Sequence, residues 1–195
     1  KVDGFSAKAF FDEEHVVDGA ARDYRVERWV NGDDGKIKGV EVGYTQFFDF
    51  LPGWLSHFGL QTNYTYVDSE APSPSASDTD GRALLVPLEG LSKNSYNAIL
   101  SYELPRFQAR VAYNWRSDWL VTTQGNGTGQ LPVYNKPLGW LDASLRFNIN
   151  EAWSVSLDGQ NLLDSEHETY MLNESRPRDF RINDRRYGVT LRASF

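Results

Sequence analysis

The last nine residues, Tyr187-Gly188-Val189-Thr190-Leu191-Arg192-Ala193-Ser194-Phe195, alternate without a break. In an extended strand Tyr187, Val189, Leu191, Ala193 and Phe195 fall on one face. Gly188, Thr190, Arg192 and Ser194 fall on the other. A soluble domain rarely ends on a fully amphipathic strand that closes with an aromatic, whereas a membrane-crossing β-barrel usually does. The reading constrains everything upstream: each earlier segment should repeat the alternation, and the turns should alternate between short and long.

Composition fits that demand. Aromatic residues make up 14% of the 195 residues, with six Trp, ten Tyr and eleven Phe, yet the mean hydropathy is −0.54. One apolar strand face, balanced by a polar face and polar loops, produces this combination. No run approaches the ~18 apolar residues of a transmembrane helix. The absence of cysteine removes disulfides and thiolate metal sites. A net charge of −7 without a basic stripe argues against nucleic acid as a partner. The chain starts at Lys1, without a signal-peptide-like segment, and runs almost directly into strand-like sequence. It reads as the C-terminal portion, residues 1–195, of a barrel cut from something longer.

The alternation recurs along the chain. Phe5, Ala7, Ala9 and Phe11 suggest a short first strand. Residues 12–35 read as polar and irregular, ending in the turn signal Asn31-Gly32-Asp33-Asp34-Gly35. Tyr24 to Val30 is expected to pair with the strand after that turn, as a hairpin projecting from the barrel rim. Val40, Val42, Tyr44, Phe48 and Phe50 share the face of a strand over 37–50. Further strands follow over 58–66, 96–102, 107–119, 141–149, 153–160 and 187–195. Arg110 and Arg116 lie on the polar face of the 107–119 strand, a position suited to a water-filled lumen and expensive in a soluble core. Short turns fall near 51–56, 104–106 and 150–152. Long connections fall at 12–35, 69–92, 123–136 and 164–184. Ala71 to Asp78, rich in Pro and Ser, is expected to hold no single conformation.

Strand up, long loop, strand down, short turn is the asymmetry of a transmembrane barrel with short periplasmic turns and long extracellular loops. Trp54, Phe58, Phe107 and Trp153 cluster at the short-turn end, with Tyr66 and Trp119 toward the other, as an aromatic girdle would. The expected fold is therefore all-β, an antiparallel transmembrane β-barrel.

Three motifs add a resemblance. Gly35-Lys36-Ile37-Lys38-Gly39-Val40-Glu41-Val42 resembles the GKxxGxE strand of TonB-dependent outer-membrane receptors. Asn63-Tyr64-Thr65-Tyr66-Val67-Asp68 is similar to the NYTYxD strand that follows it, and Gln160-Asn161-Leu162-Leu163-Asp164 to the NLxD segment before the last strand. The final strand, through Tyr187, Val189, Leu191 and Phe195, matches the family's signal to the barrel-assembly machinery. The branch most similar is that of carbohydrate-scavenging proteobacteria.

The resemblance implies a barrel of about 22 strands with a plugged lumen. This chain would supply about its last eight strands, and the plug and the TonB-contacting segment, or TonB box, would lie outside it. It implies a location in the outer membrane of a Gram-negative bacterium, among lipid and lipopolysaccharide, and coupling to the TonB complex through the plug. The expected function is active uptake of a nutrient, an oligosaccharide in the leading reading. A siderophore, haem or cobalamin receptor of the same fold is the alternative. So is a complete eight-stranded structural or adhesive barrel, whose interior side chains would fill.

Ligand-binding candidates are polar groups near the upper lumen and in the long loops: Arg116, Asp118, Asn126, Gln160, Asn161, Tyr170, Arg176 and Arg178. Asn, Asp and Arg hydrogen-bond to hydroxyls, and an aromatic offers a stacking face. Against each stands a plain structural role in pairing or in holding the plug. Arg176, Arg178, Arg181, Arg185 and Arg186 are expected to pair with Asp179 and Asp184. No enzymatic motif stands out. His15, His57 and His167 lie in different segments, and Ser165-Glu166-His167-Glu168 lacks HExxH spacing. No cofactor is implied.

Overall fold

A computed structural model describes residues 6–31, 35–77, 82–125, 127 and 131–194. It contains fourteen strands, one short 3-10 turn over Gly53–His57, and no α-helix among the described residues. The wall is built from β3 (Lys36–Phe47), β4 (Phe58–Ser77), β6 (Asn94–Glu103), β7 (Phe107–Arg116), β10 (Leu138–Asn148), β11 (Trp153–Gln160) and β14 (Arg186–Ala193). Every neighbouring pair is antiparallel, in the order β14-β11-β10-β7-β6-β4-β3. The expected all-β antiparallel fold is what forms. Among the described residues β14 and β3 do not pair with each other, so the sheet stays open.

Register makes the two faces continuous. Gln46, Leu60, Leu100, Val111, Ala143, Gly159 and Tyr187 form one cross-strand row. The row below it runs through Phe58, Tyr102, Ala109, Leu145, Leu157 and Val189. This apolar face is bare: Val42, Leu100, Val111, Leu145, Leu157 and Val189 are all exposed. A soluble sheet would bury such a face against a second layer, whereas hydrocarbon replaces that layer in a barrel. The opposite face carries Glu41, Asn63, Asn97, Arg110, Asn114, Asp142, Arg146, Asp158 and Arg192, which the period-2 register turns inward together.

Several connections differ from the expectation of irregular loops. Residues 12–35 are mostly a long hairpin of β1 (Ser6–Val17) and β2 (Ala20–Asn31). Its turn is Asp18-Gly19, both with positive φ (53° and 77°), the pairing a tight type I′ connection needs. Tyr24 to Val30 therefore pairs backward with β1, not forward with β3, and β1 is not a wall strand. Phe5 and the Gly32–Asp34 part of the expected turn lie outside the described residues. Residues 71–77 continue β4, which pairs with β5 (Ala83–Val86). Ala71 and Ser73 are 2% and 5% exposed, so the start of this Pro/Ser-rich stretch is packed, which its composition conceals. Asp78 lies outside the described residues.

The 123–136 and 164–184 connections join in a second sheet. It comprises β8 (Trp119–Thr122), β9 (Val133–Asn135), β12 (His167–Met171) and β13 (Pro177–Arg181), ordered β13-β12-β9-β8. Trp119, expected at the end of a wall strand, opens β8 instead, because Ser117 and Asp118 interrupt the ladder. The most buried apolar side chains sit here, Leu120 and Val133 at 0% and 1% exposure. The chain's core thus lies in the rim, above a wall that is one layer thick. At the far end, the wall turns are tight: Leu104 and Phe107 exchange backbone bonds, and Asn150 Oδ1 accepts from the amides of Ala152 and Trp153. The closing strand runs to Ala193, and the amide of Ser194 still bonds Ala152 O at 2.8 Å. Phe195 lies outside the described residues.

Candidate functional site

The polar groups gather in three places: the lower lumen face, the upper lumen face and the rim sheet. On the lower lumen face Arg110, Arg146, Glu103 and Asp158 line a shallow cavity with Ser101 and Gln108. None of these four charged residues forms an ion pair among the described residues. The Nε of Arg146 is buried without a hydrogen-bond partner. Strand register keeps the charges on one side and sets Arg110 diagonally from Glu103 and Arg146 diagonally from Asp158, without bringing either pair into contact.

On the upper lumen face the chemistry changes to neutral amides. Gly43, Asn63, Asn97, Asn114 and Trp140 occupy one cross-strand row. Asn97 Nδ2 donates to Asn63 Oδ1 at 2.7 Å, and Asn63 Nδ2 donates to Glu41 Oε1 at 3.3 Å. This row was missed in the sequence because its members sit on five strands, and only the register brings them together. Their shared lumen parity was the available signal.

Arg116 joins wall to rim. Its Nε donates to Ser92 Oγ at 2.7 Å, a terminal nitrogen donates to Gly90 O at 2.6 Å, and the guanidinium lies 3.8 Å from the Trp119 ring centroid. Glu89 completes the junction by accepting from the amide of Thr123 at 2.8 Å. Arg116 is thus committed to docking the 82–92 segment. Its neighbour Asp118 is exposed and faces the rim tyrosines.

In the rim sheet, Tyr134 and Tyr170 sit opposite each other and stack at 5.5 Å with an interplanar angle of 17°. Burial, and then the carboxylate of Asp118, push both phenols above the usual tyrosine range. Lys136 Nζ donates to Glu168 Oε2 at 2.5 Å, which holds its ammonium above the usual lysine range. Tyr134 went unrecognised in the sequence because the loop around it reads as shapeless.

The remaining candidates divide. Asn161 is fully buried: its side chain donates to the carbonyls of Ser165 and Asn183, and its Oδ1 accepts from the amide of Ser165. It pins the 164–184 connection and presents no surface to a ligand, which corrects its reading as a binding residue. Gln160 beside it is exposed at the end of β11. Arg176 and Arg178 are exposed near β13, close in sequence to Tyr170's partner Pro177. Arg178 pairs with Asp179 at 3.5 Å, as expected; Arg185 pairs with Asp164 at 3.4 Å and not with Asp184. Asn126 lies outside the described residues. The structure therefore brings Asp118, Tyr170 and the unpredicted Tyr134 together, with Arg178 on the same sheet and Arg176 just before its β13 strand.

A single-layer antiparallel wall, bare and apolar outside and polar inside, with short turns at one end and a folded rim at the other, is a membrane β-barrel. Its family follows from comparison: residues 8–162 match the model described as TonB dependent receptor-like, beta-barrel, and the chain belongs to that family. Members are receptors and transporters of the Gram-negative outer membrane. The siderophore receptor PiuA of Acinetobacter baumannii is similar over 84% of this chain and 22% of its own, at 18% identity and a TM-score of 0.57. A mutant of the ferric enterobactin receptor PfeA of Pseudomonas aeruginosa is similar over 99% of this chain and 27% of its own, at 14% identity and a TM-score of 0.60. The chain thus spans about a quarter of the length of these solved structures. No curated protein sequence matches it significantly.

Proposed function

We propose that this chain is the C-terminal part of a plugged barrel of about 22 strands that takes up a nutrient actively, driven by the TonB complex. The observation that carries this reading is the lower lumen face. Among the described residues Arg110, Arg146, Glu103 and Asp158 have no ion-pair partners, and Arg146 Nε is buried without a hydrogen-bond partner. Charges held this way suit a polar occupant of the lumen, since leaving them unpaired costs free energy. A plug supplies such an occupant. The open path from β14 to β3 agrees with a wall completed by further strands and gives the small eight-stranded barrel no support.

Two ligand classes have separate support. An oligosaccharide suits the neutral amide row of the upper lumen and the tyrosine pair of the rim. A ferric siderophore is what the two solved relatives are named for, and Arg176, Arg181 and Arg186 would suit its negative charge. The remaining partners of this reading are outer-leaflet lipid and lipopolysaccharide around the apolar face, and the assembly machinery at β14. The test is uptake by cells carrying the full-length receptor, offered labelled oligosaccharides and labelled ferric siderophores, with and without a protonophore. Accumulation that the protonophore abolishes supports active transport. Binding without energy-dependent accumulation of any ligand would sink it.

A further inference from the structure

We infer that the row Asn63, Asn97, Asn114 and Trp140 is a transit subsite for the uncharged sugar rings of an oligosaccharide, an inference that rests on the transport reading above. The row is polarised. Glu41 accepts from Asn63, and Asn63 accepts from Asn97. Each bond fixes the rotation of one amide, so the groups left over point into the lumen already oriented. Among the described residues Asn97 keeps its Oδ1 free of any side-chain donor, and Asn114 keeps its whole amide. Neighbouring strands lie about 4.8 Å apart, so four spacings from Gly43 to Trp140 span roughly 19 Å.

The two ends of the row differ usefully. Trp140 supplies an indole face beside Asn114, the platform on which the apolar face of a sugar ring stacks. Gly43 supplies no side chain, and nothing lies within 4 Å of the place a Cβ would take. A ligand therefore meets an aromatic stop at one end and a recess at the other, with paired donors and acceptors between. Within the row no residue carries charge. Arg116, two residues beyond Asn114 on the same strand, is already held by Ser92, Gly90 and Trp119. An anionic ferric complex finds no counter-charge here, whereas hydroxyls find both halves of a hydrogen bond on each free amide.

The experiment uses the full-length receptor in lipid nanodiscs. Trp140 emission is isolated as the difference between the wild type and Trp140→Phe. It is followed while maltohexaose, cellohexaose, xylohexaose or a ferric tris-catecholate is added to millimolar concentration. The expected result is a saturable change with at least one of the three neutral sugars. Asn97→Leu and Asn114→Leu should each raise its Kd by roughly tenfold through a lost hydrogen bond, while Asn114→Ser should recover part of the loss. Unchanged heat-modifiable migration on gels shows that the variants fold. Absence of any sugar-dependent Trp140 signal overturns the inference, as does a response to the ferric complex alone or a Kd indifferent to both leucine variants. The transport reading is judged separately: protonophore-sensitive uptake that persists in the Asn97→Leu, Asn114→Leu double variant leaves transport standing and removes the subsite.

Discussion

Val111 is the most direct test of the two-faced wall. It is the fifth residue of the ten in β7, so it lies near the middle of the strand. It is 41% exposed, between Leu100 and Ala143 on the apolar face. No second layer covers it, so Val111→Arg neither opens a cavity nor overpacks a core; the change acts mainly through the solvent. If that solvent is hydrocarbon, the guanidinium costs about 2–4 kcal/mol near the midplane. That is roughly a 30- to 900-fold loss in the folding equilibrium. The preceding residue is a natural control, since Arg110 sits one position away on the other face and is tolerated there. Asn114→Arg, three residues on and inward, should lie within about 0.5 kcal/mol of wild type. The assay is reversible unfolding of the full-length receptor from phospholipid vesicles in guanidinium, followed by tryptophan emission. Equal effects of Val111→Arg and Asn114→Arg would refute the assignment of faces, and so would a Val111→Arg effect below about 0.5 kcal/mol.

Further expectations concern the rim and the strand contacts. Asn161→Ala should strand the amide of Ser165 and two carbonyls, costing about 2–4 kcal/mol locally, and hydrogen exchange should show β12 and β13 losing protection before the wall. Gly39→Ala places a Cβ 2.8 Å from the backbone oxygen of Tyr66, which cannot move without parting β3 from β4, whereas nothing lies within 4 Å of a Cβ at Gly43. Gly39→Ala should therefore destabilise by about 1–3 kcal/mol and Gly43→Ala hardly at all, as read from folding midpoints. Tyr134 and Tyr170 have phenols raised by burial and Asp118, so their contribution to rim stability is complete below the ordinary tyrosine pKa and is lost as pH climbs through the raised one. Asp118→Asn should move both titrations down toward the ordinary value, measured by tyrosinate absorbance.

The wall was readable from residue types because its rule is local. Alternation in 107–116 and 141–148 states which side chain faces which way, and the register follows from matching apolar faces across short turns. The rim was not readable in that way. Val133 and Tyr170 are separated by a loop and a hairpin, yet share one small core, and no periodic signal spans that distance. The Asp18-Gly19 turn is a different kind of miss. Its Asp-Gly signature was present, but the charged residues on both sides of it resemble a loop. Charged strands survive there because the hairpin pairs with itself, with Arg28 donating to Glu13 at 2.6 Å. Among the candidate binding residues, parity found Arg116 on the lumen face, but only the folded structure shows that it is tied to Ser92, Gly90 and the Trp119 ring. Asn161 was picked for its position and is explained by its bonds.

The bareness of the outer wall face has a consequence for how such a chain can change over generations. Val111 or Leu157 has no shaped neighbour to fit, so any apolar residue serves there, and many polar ones serve one position away. The wall is in effect written in two letters, and drift within each letter leaves the architecture untouched. Resemblance to two receptor barrels at TM-scores of 0.57 and 0.60, with only 18% and 14% of residues identical, is what such a script produces. Substitutions that cross between the letters, and those that disturb fitted places such as Gly39 and Asn161, are the ones this lineage has least room to accept.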